Sequence, residues 1–193
     1  MKASERVHAV SAIAVVFSAF ASAQNMVPNG QFDTLEGWTL LGNGGQFTLD
    51  AGDGSPDAPA GSVVVGGSPA TIIQSSCTPL TGPMTIDFQV DIKSNPDQPE
   101  FPPGGFPGRG NAQFFSSDTC SSGFLTLTNA ENCFPLSDGW QRCASLNFAV
   151  PDTARGFRVE GGVILFGGWA KFDNFRLGPS GTVPVTLQSF DIE

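Results

Sequence analysis

In the stretch TIDFQVDIK, Thr85 to Lys93, every second residue is apolar: Ile86, Phe88, Val90 and Ile92 alternate with Thr85, Asp87, Gln89, Asp91 and Lys93. A period of two is the pattern of a β-strand with one face on a core and the other in water. ASLNFAV repeats it with Leu146, Phe148 and Val150, and weaker runs lie at 46–50, 62–65, 71–74, 112–115, 124–128, 156–160, 163–166 and 171–177. The 24 glycines and 15 prolines scattered between these runs penalise helix interiors. The expected fold class is all-β, an antiparallel β-sandwich.

Ahead of this pattern, residues 1–23 read as a secretory signal. Lys2 and Arg6 precede an apolar run from Ala9 to Ala21, and Ala21-Ser22-Ala23 is a small-residue cleavage site. The run is shorter than the roughly 20 residues that span a bilayer, so no integral membrane segment is expected in the processed chain. The expected location is outside the cytoplasm, secreted or periplasmic. Residues 24–178 form one expected β-sandwich domain, and 179–193 a tail or added edge strand, in which Val183, Val185 and Leu187 alternate. Within the domain, residues 93–111 are expected to be a long exposed loop. Proline there lacks a ladder donor, and glycine gains little from ordering.

The charge excludes several functions. Nine Lys and Arg face eighteen Asp and Glu, which become seven against seventeen once the signal is removed. Such a surface repels phosphate backbones, so nucleic acid is not an expected partner. The single histidine, His8, lies in the signal. The remainder can neither run a Ser-His-Asp or Cys-His mechanism nor hold a histidine-ligated zinc. Two carboxylates could still serve a glycosidase. Asp87 and Asp91 share a strand face, but acids at such positions usually form a solvated surface, and the protein is read as non-enzymatic. Cys77, Cys120, Cys133 and Cys143 make an even count in an exported chain, which implies two disulfides with three possible connectivities.

The segment NMVPNGQFDTLEGWTL, followed by DAPAGSVVVGG, TIDFQVDIK, WQRCASLNFAVPDTARGFRVE and WAKFDNFRL in that order, resembles the galactose-binding-like jelly rolls found as carbohydrate-binding modules of xylanases and glucanases. The resemblance covers residues 25–177 and implies that the opening segment is the first strand of a jelly roll. It also implies a pairing of Cys120 with Cys133 and of Cys77 with Cys143, and places Trp38 and Trp140 as packing residues. A further implication is a structural calcium ion joining the first strand, a glycine-rich loop and the last strand, with Asp33 and Asp173 as its carboxylates and carbonyls near 57–62 completing it. Asp173 shares parity with Phe175 and Leu177, which predicts a carboxylate on the core side, held by calcium or by backbone donors. Family members usually have glutamate at the Asp33 position and carry exposed tyrosines for sugar stacking, whereas this chain has no tyrosine. Trp169 is the candidate sugar-stacking residue, with Phe101 and Phe106 on the proline-rich loop as further ligand contacts. The implied partner is a glycan; the alternative is a structural or surface-associated protein with no sugar binding.

Overall fold

The computed structural model describes residues 25–42, 45–55, 61–66, 71–94, 108–130, 139–163 and 168–183. Among them are eleven strands and no helix: β1 (Trp38–Leu41), β2 (Gln46–Asp50), β3 (Ser62–Gly66), β4 (Thr71–Ser75), β5 (Thr78–Pro79), β6 (Thr85–Ser94), β7 (Gly108–Phe115), β8 (Phe124–Asn129), β9 (Gln141–Ala149), β10 (Gly156–Val163) and β11 (Trp169–Pro179). The first sheet has the order β1-β4-β10-β7-β8, with β5 paired to the start of β10. In the second the order is β2-β3-β11-β6-β9. The two antiparallel sheets form a sandwich, the all-β class expected from the alternation, consistent with the jelly roll that the resemblance implied.

The core lies between them and is built from alternate residues of each strand. Ile73, Ala112, Phe114, Phe157, Val159 and Val163 come from the first sheet; Val63, Val65, Ile86, Phe88, Val90, Ile92, Phe172, Phe175 and Leu177 come from the second. Each of the Val, Ile, Leu and Phe side chains among them stabilises the fold by about 1.5–3 kcal/mol relative to exposure. At one end Trp38 lies 4.7 Å from the Phe32 ring and 4.9 Å from the Phe175 ring. Gly161 faces this core, where an added Cβ would stand 3.0 Å from Phe175 and 3.1 Å from Phe172. Its bare backbone lets those rings fill the layer.

Four expectations need correction. The opening segment is not a strand: residues 27–37 form successive turns, with Asn29 and Phe32 at φ of 48° and 50°, and β1 begins only at Trp38. The turns still complete the second sheet, because Met26 N donates to Leu177 O at 2.8 Å and Phe175 N to Gly30 O at 2.9 Å, beside the half of β11 that β3 does not reach. Both ends of the expected loop at 93–111 are strand, since β6 runs through Ser94 and β7 starts at Gly108. The polar face of β6 is buried rather than solvated, with Asp87, Gln89 and Asp91 all under one-tenth exposed. Last, Cys77 is bonded to Cys120, their Cα atoms 5.7 Å apart, so neither expected pairing, Cys120 with Cys133 or Cys77 with Cys143, forms.

The register explains the disulfide. Gly156 pairs with Pro79 on one side and with Phe115 on the other, which brings the chain before β5 and the turn after β7 together. A Cβ at Gly156 would stand 3.1 Å from the Cys77 sulfur and 3.2 Å from that of Cys120, so glycine leaves room for the bridge. Cys143 lies in the other sheet, opposite Val90. Cys133 lies outside the described residues.

Candidate functional site

The outer face of the second sheet carries most of the charged residues that the sequence pattern placed in water. Register sets Asp91 opposite both Asp173 and Arg142, and Lys93 opposite Lys171. The segment from Asp50 to Ser55 folds over them. Asp91 accepts from Arg142 Nε at 2.7 Å and Nη2 at 2.9 Å, from Ser55 Oγ at 2.7 Å and from Asn174 Nδ2 at 3.0 Å. Asp53 accepts from Lys93 Nζ at 2.9 Å and Trp140 Nε1 at 3.2 Å, and also from Lys171, which in turn reaches Asp50 at 2.7 Å. Burial pushes the Asp53 carboxyl up, but these donors outweigh it and hold the group down at about 2. At the far end of the strand Asp87 accepts from Asn147 N, Ser180 Oγ and Gly181 N, which hold its carboxyl below the usual range against burial. These acids lock loops onto the sheet. Gln89 is the exception: only 1% exposed, it has a partner for neither amide atom.

Asp173 belongs to this face and not to the core. Phe172 and Phe175 both point inward, and the two residues between them form a bulge, marked by the register shift after Asp173 and by Asn174 at φ 50°. The bulge resets the alternation, so parity with Phe175 misplaces Asp173. It is fully buried beneath Ser55, whose N donates at 2.7 Å, while Asn174 N donates at 2.6 Å. Burial, with the neighbouring Asp91 charge, pushes its carboxyl up to about 7 against those two donors. Asp33 is exposed, and its side chain makes no hydrogen bond among the described residues. A calcium ion takes six to eight oxygens, whereas the Asp173 oxygens face N–H donors and Asp91 is taken by Arg142. No group of three or more His, Cys, Asp or Glu comes together among the described residues. The described residues do not assemble Asp33 and Asp173 into a calcium cage; 56–60 lie outside them.

Trp169 opens β11 opposite Gly66, partly buried, with the Lys171 Nζ 5.9 Å from its ring centroid. It therefore stands on the second sheet's outer face. Trp140 is half-buried there too, tied to Asp53, while Trp38 is a core residue. Phe101 and Phe106 lie outside the described residues.

The outer face of the first sheet is built differently. Register aligns Thr39, Gln74, Glu160, Asn111 and Asn129 in one row across five strands. At about 4.8 Å per strand the row is about 19 Å long. A parallel row holds Arg158, Gln113 and Leu127, and another holds Leu41, Ile72, Gly162 and Arg109. Arg158 Nε donates to Gln113 Oε1 at 3.0 Å, and its guanidinium lies 4.8 Å over the Phe115 ring. Phe124, 5.8 Å from Phe115, is 55% exposed. Beside the row a cavity of about 300 Å³ is lined by Thr39, Gln74, Ser76, Thr119, Arg158 and the Cys77–Cys120 bridge.

Polar groups on this face are not saturated. Gln74 Oε1 and Asn111 Oδ1 are buried and have no partner. Between them Glu160, 7% exposed, has Asn111 Nδ2 at 3.4 Å and Arg158 Nη2 at 3.8 Å. Burial pushes its carboxyl above the usual range, against the pull of Arg158 and Asn111. Buried acceptors without donors cost free energy unless a ligand supplies the donors.

No protein-family model matches the chain, and no curated protein sequence is significantly similar to it. Solved structures are similar in fold. TmCBM61, a carbohydrate-binding module solved with β-1,4-galactotriose, superposes with a TM-score of 0.52 at 12% identity over 81% of this chain and 99% of that one. The fold is similar to that of this module. The C-terminal family 22 carbohydrate-binding module of Clostridium thermocellum Xyn10B gives a TM-score of 0.50 at 12% identity, covering 80% of this chain and 94% of that module. The enzymatically active domain of bacteriophage CBA120 tailspike protein 4 gives 0.54 at 19% identity over 80% of this chain, which spans only 21% of that protein.

Sequence reasoning missed Gln74, Asn111, Arg158, Glu160 and Phe124. The signal was present in FRVEGG, where Arg158 and Glu160 alternate with the core residues Phe157 and Val159. It named a face but not a site, because only the register of five strands brings these residues into rows.

Proposed function

We propose that the protein is an exported, non-catalytic module that binds an extended glycan on the outer face of its first sheet. The observation that carries this reading is the row in which two unpartnered acceptors, Gln74 Oε1 and Asn111 Oδ1, flank the weakly paired Glu160. Glycan hydroxyls supply the missing donors. Gln113 and Asn129 offer further amide groups, and Phe124 an exposed ring for an apolar sugar face. A row of about 19 Å exceeds one sugar ring, so the ligand is a chain. TmCBM61, similar in fold, was solved with β-1,4-galactotriose, which supports the reading.

Glu160 is the only acid in these three rows, which therefore lack the carboxylate pair that glycoside hydrolysis uses. The Cys77–Cys120 bridge supports an oxidising compartment outside the cytoplasm. No helix among the described residues is long and apolar enough to cross a membrane. The test is titration of the purified protein with a panel of plant, algal and microbial oligosaccharides, alongside Gln74→Ala and Asn111→Ala. Binding that both substitutions weaken supports the assignment. A structural protein would bind none of the panel, and binding that neither substitution alters would move the site elsewhere.

A further inference from the structure

We propose that the glycan selected by this face bears free amino groups, a chain of hexosamine units whose protonated amines meet Glu160. The inference rests on the glycan-binding reading above and names its ligand class.

Two buried carboxylates show what Glu160 lacks. Asp91 has four donors between 2.7 and 3.0 Å, two of them from a guanidinium. Glu160 has none nearer than the Asn111 amide at 3.4 Å. Arg158, the one cation beside it among the described residues, stands at 3.8 Å, its Nε bonded to Gln113 and its guanidinium over the Phe115 ring. The Asn111 amide turns its nitrogen toward Glu160, which leaves its buried oxygen without a donor. Gln74 presents another unpartnered oxygen on the opposite side. Three neighbouring strands thus offer acceptors in a row, with a negative charge at the centre.

The chemistry of the missing group follows. A neutral hydroxyl gives one donor and leaves the buried carboxylate with only the Arg158 guanidinium, at 3.8 Å, as its counterion. An ammonium gives three donors together with the charge, and hydrogen bonds to an ionised partner are the stronger kind. An acidic sugar would set like charges against each other. The chain's formal charge of −9 draws polycations toward the whole surface. A lysine side chain carries the same ammonium, but it would not use the polar and apolar rows on either side of Glu160.

The experiment compares β-1,4-linked oligomers of glucosamine, N-acetylglucosamine and glucose of equal length by calorimetric titration near neutral pH, with oligolysine as a fourth probe. The glucosamine oligomer is expected to bind at least about tenfold more tightly than the glucose oligomer. In Glu160→Gln the ratio between these two should fall to about one, and in Arg158→Gln, which removes the competing cation, it should rise. Opposite responses separate charge recognition from damage to the fold. Equal or tighter binding of the glucose or acetylated oligomer overturns the amine preference and leaves the glycan-binding reading standing. Failure of all three sugars sinks both. Oligolysine binding as tightly as the glucosamine oligomer overturns the proposal in favour of a cationic protein partner.

Discussion

On the outer face of the second sheet the Asp91 carboxylate takes four hydrogen bonds of 2.7–3.0 Å, whereas on the first sheet the Glu160 carboxylate has only groups at 3.4 and 3.8 Å, although both are more than nine-tenths buried. The difference lies in what covers each face. On the second sheet the Asp50–Ser55 segment supplies Ser55 and Asp53, which tie β6, β9 and β11 together through Asp91, Arg142, Lys93 and Lys171. On the first sheet Gln74 and Asn111 are left with unpartnered acceptors, and Glu160 between them has only long contacts. A satisfied polar network, such as that around Asp91 and Asp53, specifies and rigidifies a fold, and among the described residues Gln89 alone stands outside it on that face. On the proposed reading, one outer face holds the sandwich together and the other receives a ligand.

The largest effect that could break this comparison comes from Asp91→Ala. Removing that carboxylate takes away the partner that Arg142 uses at 2.7 Å and is expected to cost about 3–5 kcal/mol in urea unfolding. A loss under about 0.5 kcal/mol, the level of an ordinary surface substitution, would mean that the network contributes nothing special.

Proton linkage at Asp173 comes next. Its carboxyl is raised from 3.8 to about 7 in the folded protein, so the folded state binds a proton that the unfolded state has released. Its contribution to stability is therefore full below pH 3.8 and declines as pH rises toward about 7. At about 1.4 kcal/mol per pH unit the decline amounts to roughly 4 kcal/mol at most. The groups that face it are Asp91, Arg142 and Arg176. Asp53, held down at about 2, acts in the opposite direction, losing its contribution only as pH falls through that value. Unfolding measured from acid to neutral pH should show the decline in the natural protein and a flatter profile in Asp173→Asn. An unchanged slope in the variant would remove Asp173 from the account.

Third in size is the bridge beside the cavity. Replacing Cys77 and Cys120 together by serine should lower stability by about 2–4 kcal/mol. Because the bridge also lines the cavity next to Gln74 and Arg158, glycan affinity should fall with it. Unaltered affinity in a folded double variant would detach the cavity from the site.

How much of this could be read from the chain differs between strand and site. The alternation in TIDFQVDIK and ASLNFAV located β6 and β9 because an apolar face is a local property. It failed at Asp173, where a single residue in the left-handed region, Asn174, shifts the parity that the pattern assumes. The face of β6 read as solvated is covered because Asp50–Ser55 comes from another part of the chain, and no local pattern reports that. The disulfide was misassigned for the same reason: Cys77 and Cys120 meet only through the pairing of Gly156 with both Pro79 and Phe115. The row proposed to bind glycan needs the register of β1, β4, β10, β7 and β8 at once. Trp169 drew attention as an aromatic of unexplained position, yet it stands on the other sheet.

The smallest expected change is also the most direct test of the claim that one outer face is structural and the other functional. Asp91→Asn and Glu160→Gln each remove one buried negative charge from an outward-facing position, and both can be measured by urea unfolding at neutral pH. The account predicts that Asp91→Asn costs several kcal/mol, since its charge is paired at 2.7 Å, whereas Glu160→Gln changes stability by less than about 1 kcal/mol or raises it, since its charge is paired only at 3.8 Å. A loss at Glu160→Gln equal to that at Asp91→Asn would show that both faces are structural and would contradict the account.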